Sequence, residues 1–126
     1  MKNKFSIKFL EDAIDFIENL DAKSRDKVIY NLNLSSRKND KNLFKKLTEN
    51  IWEFRTLYNK QTLRLFAFWD KRDKEDTLVI CTHGLLKKTK KIPKNEIRKA
   101  EEIRVEYITI KISKNEESEK VEDDES

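Results

Sequence analysis

The chain has 126 residues, of which 37% are hydrophobic and 41% charged, enough for one domain with a small core under a strongly solvated surface. A single Cys and a single His exclude an intramolecular disulfide and argue against a zinc site, so we expect no metal and no small-molecule cofactor. No stretch approaches the roughly 20 apolar residues of a membrane span, and Glu11, Asp12 and Asp15 interrupt the apolar residues near the N-terminus. We therefore expect a cytoplasmic protein that does not interact with membranes.

The net charge of +4 is distributed unevenly along the chain. Residues 115–126 hold seven acidic residues and one lysine, a net charge of −6, which leaves +10 on residues 1–114. A body this basic predicts an anionic partner, with nucleic acid first and an acidic protein second. We expect residues 1–113 to form one domain and residues 114–126 to form an acidic, disordered tail.

The first third of the chain predicts two helices. Apolar residues at helical spacing indicate a helix from about Ile7 to Leu20, and Asp21 is a favourable N-cap for a second helix that fades near Ser36. Residues 35–42 are polar and predict a loop. We expect a short strand around Lys4 to Ser6 to pair at the edge of the sheet.

From Ile51 the pattern changes to the aromatic and β-branched residues typical of strands. We predict strands at 51–58, 63–70 and 77–83, joined by connectors short enough for antiparallel hairpins. Pro93 suits the first turn of a closing helix, which carries Ile97, Ala100, Ile103 and Tyr107. The fold class is α+β: two N-terminal helices, an antiparallel meander of three to four strands and a C-terminal helix, with the helices packed on one face of the sheet.

The strand register assigns side chains to the two faces of this sheet. Pairing Tyr58 with Leu63 produces one apolar face that should bury against the helices, composed of Trp52, Phe54, Leu65, Ala67 and Trp69. The opposite face, which we expect to be free of helices, carries Glu53, Arg55, Leu57, Arg64 and Phe66. Pairing Asp70 with Thr77 places His83 opposite Arg64 and Cys81 opposite Phe66. The sequence therefore predicts one face with an acid, two arginines and the single histidine.

A lysine cluster follows this face directly. Gly84 permits a sharp departure from the strand, and the lysines after it are Lys87, Lys88, Lys90 and Lys91. Lysines at the rim of the sheet suit contact with a phosphate backbone, although a solvated loop would have the same composition. The lysines and the charged sheet face together fit metal-independent cleavage of RNA by its own 2′-hydroxyl. Glu53 or His83 would act as the base, and Arg55 and Arg64 would bind the phosphate. Lys87, Lys88 or protonated His83 would then assist the leaving group.

The stretch from Ile51 to Tyr107 resembles the RelE/ParE toxin superfamily, most closely its phage-derived HigB-like branch. The matching pieces are IWEFR (51–55), LRLFAFW (63–69) and HGLLKKTKKIPKNEIRKA (83–100). The branch has His-Gly-Phe followed by a lysine pair, a further lysine, Pro, Glu-Ile and Ala at these spacings, and this chain departs from it with Leu85 in place of the aromatic residue.

The resemblance implies a RelE-like, microbial-ribonuclease-like toxin that cleaves messenger RNA on the ribosome and is neutralised by a cognate helix-turn-helix antitoxin. It implies that Arg55 and Arg64 contact the scissile phosphate and that Lys87 and Lys88 occupy a basic position at the strand end. Tyr107 is interpreted as a packing residue. The alternatives are a ParE-like inhibitor of DNA gyrase without nuclease activity and a non-catalytic nucleic-acid-binding module.

Overall fold

The computed structural model describes residues 4–71, 78–87 and 91–125, with side chains through Lys114. In these ranges the chain forms five strands and three helices: β1 (Ser6–Phe9), α1 (Glu11–Glu18), α2 (Ala22–Arg37), β2 (Phe44–Lys46), β3 (Trp52–Tyr58), β4 (Gln61–Trp69), β5 (Leu78–Lys87) and α3 (Lys94–Glu125). The strand order in the sheet is β1-β5-β4-β3-β2. Strands β2 to β5 form an antiparallel meander and β1 lies parallel to β5, which confirms the α+β class.

In the N-terminal segment, the boundary between strand and helix differs from the predicted one. Ile7 pairs with Val79 in β1, and α1 begins only at Glu11, so the helical spacing of Ile7 and Leu10 was misleading. The predicted edge strand is present but lies slightly further along the chain. The N-cap prediction is confirmed, because the Asp21 carboxylate accepts a hydrogen bond from the Ser24 backbone N–H at 3.2 Å.

The β3–β4 hairpin is tighter than the sequence predicted. Tyr58 pairs with Gln61, and Asn59 and Lys60 have φ values of 54° and 61°, the left-handed backbone of a two-residue type I′ turn. This turn matches the right-handed twist of the strands, so the connector is shorter than the four residues that a pairing of Tyr58 with Leu63 requires. The error is two residues, and each side chain therefore keeps its predicted face.

The sheet buries side chains on both faces, whereas the sequence predicted helices on one face only. One core cluster holds Phe54, Leu65 and Ala67 against residues of α1 and α2 such as Ala13, Val28 and Leu32, as predicted. The second lies on the other face, where Phe66, Phe68 and Ile80 pack with Ile97, Ala100 and Tyr107 of α3. The face is not free of helices because the apolar stripe of α3 needs a partner, and Phe66 and Phe68 provide one.

The C-terminal helix is longer than expected. Pro93 directly precedes α3, and its carbonyl accepts a hydrogen bond from the Glu96 backbone N–H at 3.1 Å. The backbone then stays helical through Glu125, where the sequence predicted disorder after Ser113. No Gly or Pro follows Pro93, and the Glu and Lys residues that dominate this stretch have high helix propensity. The division between a domain at 1–113 and a tail at 114–126 stays a prediction.

Candidate nucleic-acid interface

Three strands place the predicted site residues in adjacent rows on the α3 side of the sheet. Opposed residues on β3, β4 and β5 form three rows across the face: Glu53–Phe66–His83, Arg55–Arg64–Leu85 and Leu57–Thr62–Lys87. Arg55 lies directly opposite Arg64, as a shared face requires. Two arginines, an acid and a histidine therefore lie on one face of the sheet, although their neighbours differ from those predicted.

His83 and Cys81 are the two residues whose partners were wrong. His83 pairs with Phe66 rather than Arg64, and Cys81 pairs with Ala67 rather than Phe66. The register shifts at Phe66/Ala67, where β5 contains one extra residue. This bulge moves Cys81 to the α1 and α2 face, where it is fully buried in the core. Burial raises the pKa of its thiol, as befits a packing residue.

Glu53 and Arg64 form a buried ion pair. Nε of Arg64 lies 3.0 Å from Oε2 of Glu53, and each residue is only 2% exposed. The two atoms are close without the alignment of a hydrogen bond, so the contact is mainly electrostatic. Glu53 thus offsets the repulsion expected from two arginines at opposed positions on neighbouring strands.

Arg55 is the more accessible of the two arginines. It is half-buried, and its backbone N–H donates to the Leu43 carbonyl at 2.8 Å. Within the described part of the chain, no carboxylate lies at ion-pair distance from its guanidinium. Both arginines line an open cleft of about 570 Å³, whose other walls are Leu57, Thr62 and the hairpin turn from Tyr58 to Gln61. The cleft therefore has a cationic floor suited to an anionic group.

His83 is held on three sides beneath the start of α3. Its Nε2 lies 2.8 Å from Oε2 of Glu96, its Nδ1 lies 3.0 Å from Oγ1 of Thr82, and its ring stacks on Phe66 with centroids 4.9 Å apart. The residue is 3% exposed. Burial lowers the pKa of His83, and nearby Lys99 acts in the same direction, while Glu96 and Asp12 oppose the shift.

These contacts occupy both ring nitrogens of His83. Nε2 faces the carboxylate of Glu96, and Nδ1 faces the Thr82 hydroxyl, which also donates to the Phe66 carbonyl at 3.3 Å. Neither ring nitrogen is open to a substrate in this arrangement. In the sequence, Glu96 was only the glutamate of the Glu-Ile pair in the family motif. Its place over His83 depends on how α3 crosses the sheet, which the sequence did not reveal.

The lysine cluster is described only in part. Lys87 is exposed at the end of β5, opposite Thr62, and Lys91 is exposed between β5 and α3. Lys88 and Lys90 lie outside the described residues. Contact between these lysines and a nucleic-acid backbone stays a prediction.

Gly84 is required for a reason other than the predicted one. The strand β5 continues past it to Lys87, and its φ is not positive, so the chain does not turn sharply there. A Cβ at this position would overlap Cγ and Cδ1 in the ring of Phe16. Glycine is therefore needed for the close approach of α1 to the sheet.

Tyr107 fixes α3 near the end of β4. Its hydroxyl donates to Oδ2 of Asp70 at 2.8 Å, and its ring meets Phe68 edge to face at 5.3 Å. Lys111 donates to the same Asp70 oxygen at 3.1 Å. The residue packs α3 onto the sheet, in agreement with its interpretation from the sequence.

Neither a metal centre nor a membrane helix can be identified in the described residues. Within 4–71, 78–87 and 91–125, no group of three or more His, Cys, Asp and Glu side chains is placed to hold a metal ion. None of the helices in these ranges combines the length and apolar composition that crossing a bilayer requires.

Comparison with known proteins identifies one family. The family model described as "Phage derived protein Gp49-like (DUF891)" matches residues 15–105, well over half of the chain. The match begins within α1, includes the whole sheet apart from β1, and ends within α3. No curated protein matches the sequence.

Proposed function

The chain belongs to the Gp49-like family of phage-derived proteins, a family of toxin–antitoxin toxins related to the RelE type, and we propose that it is a ribosome-dependent messenger-RNA endonuclease of the HigB-like branch. The family implies an antitoxin partner, which we propose to be a helix-turn-helix protein. The observation that carries the proposal is the pairing of Arg55 with Arg64 in an open cleft. Two guanidinium groups on adjacent strands suit the non-bridging oxygens of one phosphate.

The proposed reaction needs no metal. The RNA 2′-oxygen attacks the adjacent phosphorus, the bond from phosphorus to the 5′-oxygen breaks, and a 2′,3′-cyclic phosphate and a 5′-hydroxyl result. A base takes the 2′-hydroxyl proton and an acid returns a proton to the 5′-oxygen. Arg55 and Arg64 stabilise the charge that develops on the phosphate, and Lys87, Lys88, Lys90 and Lys91 hold the flanking backbone.

Glu53 and His83 are the two candidates for the base. They flank Phe66 in one row, and their backbones are therefore about 10 Å apart, two interstrand spacings. A phosphate that binds Arg64 competes with Glu53 for the guanidinium, which would release the carboxylate to accept the 2′-hydroxyl proton. His83 would first have to exchange its contact with Glu96 for the substrate.

Arg55→Ala tests the proposal without disturbing the buried pair. Inducible expression followed by mapping of RNA 5′ ends should show cleavage for the unaltered chain and a loss of about 10²- to 10³-fold for Arg55→Ala. Arg37→Ala removes the same charge from the exposed end of α2 and should leave cleavage intact. No cleavage by the unaltered chain would refute the endonuclease, and full cleavage by Arg55→Ala would refute the role of Arg55 in it.

A non-catalytic toxin is the second candidate, because a specific observation favours it. Glu53, Arg64 and His83 are each at most 3% exposed, so three of the four proposed catalytic groups are buried. A ParE-like inhibitor of DNA gyrase, or a nucleic-acid-binding module, would need no reactive group at the surface. Growth inhibition without RNA cuts, accompanied by changed DNA supercoiling, would favour the gyrase inhibitor.

A further inference from the structure

We propose that Leu57 and the β3–β4 hairpin form a subsite for one nucleobase of single-stranded RNA, beside the phosphate bound by Arg55 and Arg64. The subsite rests on the proposed function, because it takes its position from the phosphate that these arginines hold. It adds a determinant of substrate recognition that the arginines cannot supply, since contacts to phosphate carry no sequence information.

The exposure of Leu57 is the first observation. It is 66% exposed, although it lies within β3 and its cross-strand partner Thr62 is only 7% exposed. A single exposed leucine on a protein surface is ordinary. This one instead lines the cleft that contains Arg55 and Arg64. An apolar side chain beside cations can pack against the face of a base by burying apolar surface, while the cations hold the backbone.

The geometry of the strands provides the second observation. Leu57 lies two residues beyond Arg55 on β3, so their side chains project from the same face about 7 Å apart along the strand. Lys87 ends the same row on β5, opposite Thr62. A strand of RNA whose phosphate sits on the arginines can therefore reach Leu57 with an adjacent base and Lys87 with its backbone.

The hairpin turn limits the subsite on one side. Asn59 and Lys60 have positive φ values in a two-residue turn, which leaves this end of the cleft little backbone freedom. Gln61 and Thr62, both in the wall of the cleft, carry hydrogen-bond donors and acceptors suited to the edge of a base. Lys60 adds a cation at the rim. The combination of an apolar contact, polar edge groups and cations fits a nucleotide better than an apolar peptide.

Binding of short RNA to the full chain tests the subsite directly. The probes are a single-stranded 2′-O-methyl RNA, which lacks the nucleophile for cleavage, and an abasic oligomer of equal length and charge. In NMR titrations of leucine methyl groups, the 2′-O-methyl RNA should shift the Leu57 methyl resonances. It should also bind about five- to tenfold more tightly than the abasic oligomer. Leu57→Ala should abolish this difference and leave the affinity for the abasic oligomer unchanged.

Two further variants separate the contributions. Arg55→Ala should weaken both oligomers alike and reduce the salt dependence of binding. Ile29→Ala, which removes a 43% exposed side chain from α2, should change neither affinity. Because Leu57 is mostly exposed, its replacement by alanine should leave the midpoint of urea unfolding unchanged, as is usual for surface positions.

The outcomes distinguish the subsite from the proposed function. If both oligomers bind equally and Leu57→Ala has no effect, the subsite is wrong, while Arg55-dependent cleavage of messenger RNA would still support the endonuclease. If Leu57 discriminates the oligomers but no RNA is cut in cells, the subsite stands and the endonuclease fails. If neither oligomer shifts the Leu57 methyl resonances and the antitoxin does, the cleft is a protein interface and the proposed subsite is wrong.

Discussion

The buried pair of Glu53 and Arg64 makes a sharp prediction about stability. Glu53→Gln keeps the shape of the side chain and removes its charge, so Arg64 loses the carboxylate 3.0 Å from its Nε while Arg55 still lies directly opposite. Breaking a buried ion pair from one side costs about 3–5 kcal/mol, because the remaining charge stays desolvated. An exposed pair would cost less than about 1 kcal/mol. With 2% of each residue exposed, we expect the larger loss.

Removing both charges together should reverse that loss. In the double variant Glu53→Leu/Arg64→Met the space stays filled with apolar atoms, and Arg55 no longer has a like charge at the opposed position on β4. Replacing a buried pair by apolar residues is usually neutral or stabilising by about 1–4 kcal/mol. The double variant should therefore be at least as stable as the unaltered chain and still lose RNA cleavage, because the proposed contact of Arg64 with phosphate is removed.

Urea unfolding followed by circular dichroism measures these differences. A small domain has about 5–15 kcal/mol of stability, so the single variant should remain folded and show a lower midpoint with an unchanged slope. A loss below about 1 kcal/mol for Glu53→Gln would show that water reaches the pair. A double variant as unstable as the single one would show that shape rather than charge is what matters at this position. Either result would refute the reasoning.

Two further predictions concern β5. Because the pKa of His83 is lowered in the folded chain, the unfolded chain binds a proton at this residue more readily. The free energy of unfolding should therefore decrease as the pH falls through about 6.5, the ordinary pKa of histidine, and His83→Gln should flatten this pH dependence between about pH 8 and pH 5. An unchanged pH dependence in His83→Gln would show that His83 is not the group responsible. Gly84→Ala should lower the free energy of unfolding by about 1–3 kcal/mol, because the added Cβ overlaps the ring of Phe16. Adding Phe16→Leu should recover part of this loss of stability. Unchanged stability in Gly84→Ala alone would contradict the close packing of α1 on β5.

The sequence predicted which face each residue of β3 and β4 would occupy, and the reason lies in the period of a strand. The pairing of Tyr58 was wrong by two residues, yet an even error preserves the face, so Arg55 and Arg64 stayed together. The tight turn was not predicted because Asn59-Lys60 lacks the glycine that usually marks a type I′ turn. Alternation of apolar and polar residues therefore fixed the faces, while turn geometry set the register.

The alternation of apolar and polar residues could not predict which residues neighbour His83. A single extra residue in β5 shifts the register, and nothing in the composition of the strand marks the position of the bulge. The crossing of α3 over the sheet was equally hidden, since its apolar stripe fits either face. Glu96 therefore entered the site only through the three-dimensional packing of α3 on Phe66 and Phe68.

The burial of the site residues is the reverse of what hydropathy predicts, because charged side chains are buried and an apolar side chain is exposed. On one sheet face the charged Glu53 and Arg64 are each 2% exposed, while the apolar Leu57 is 66% exposed. Stability alone would favour the reverse, because burying a charge costs free energy and burying a leucine gains it. Departures of this kind from local rules are expected where a surface serves a ligand. The inversion ends at the row of Leu57, Thr62 and Lys87, so the pattern itself points to the hairpin end of the cleft as the place where that ligand is recognised.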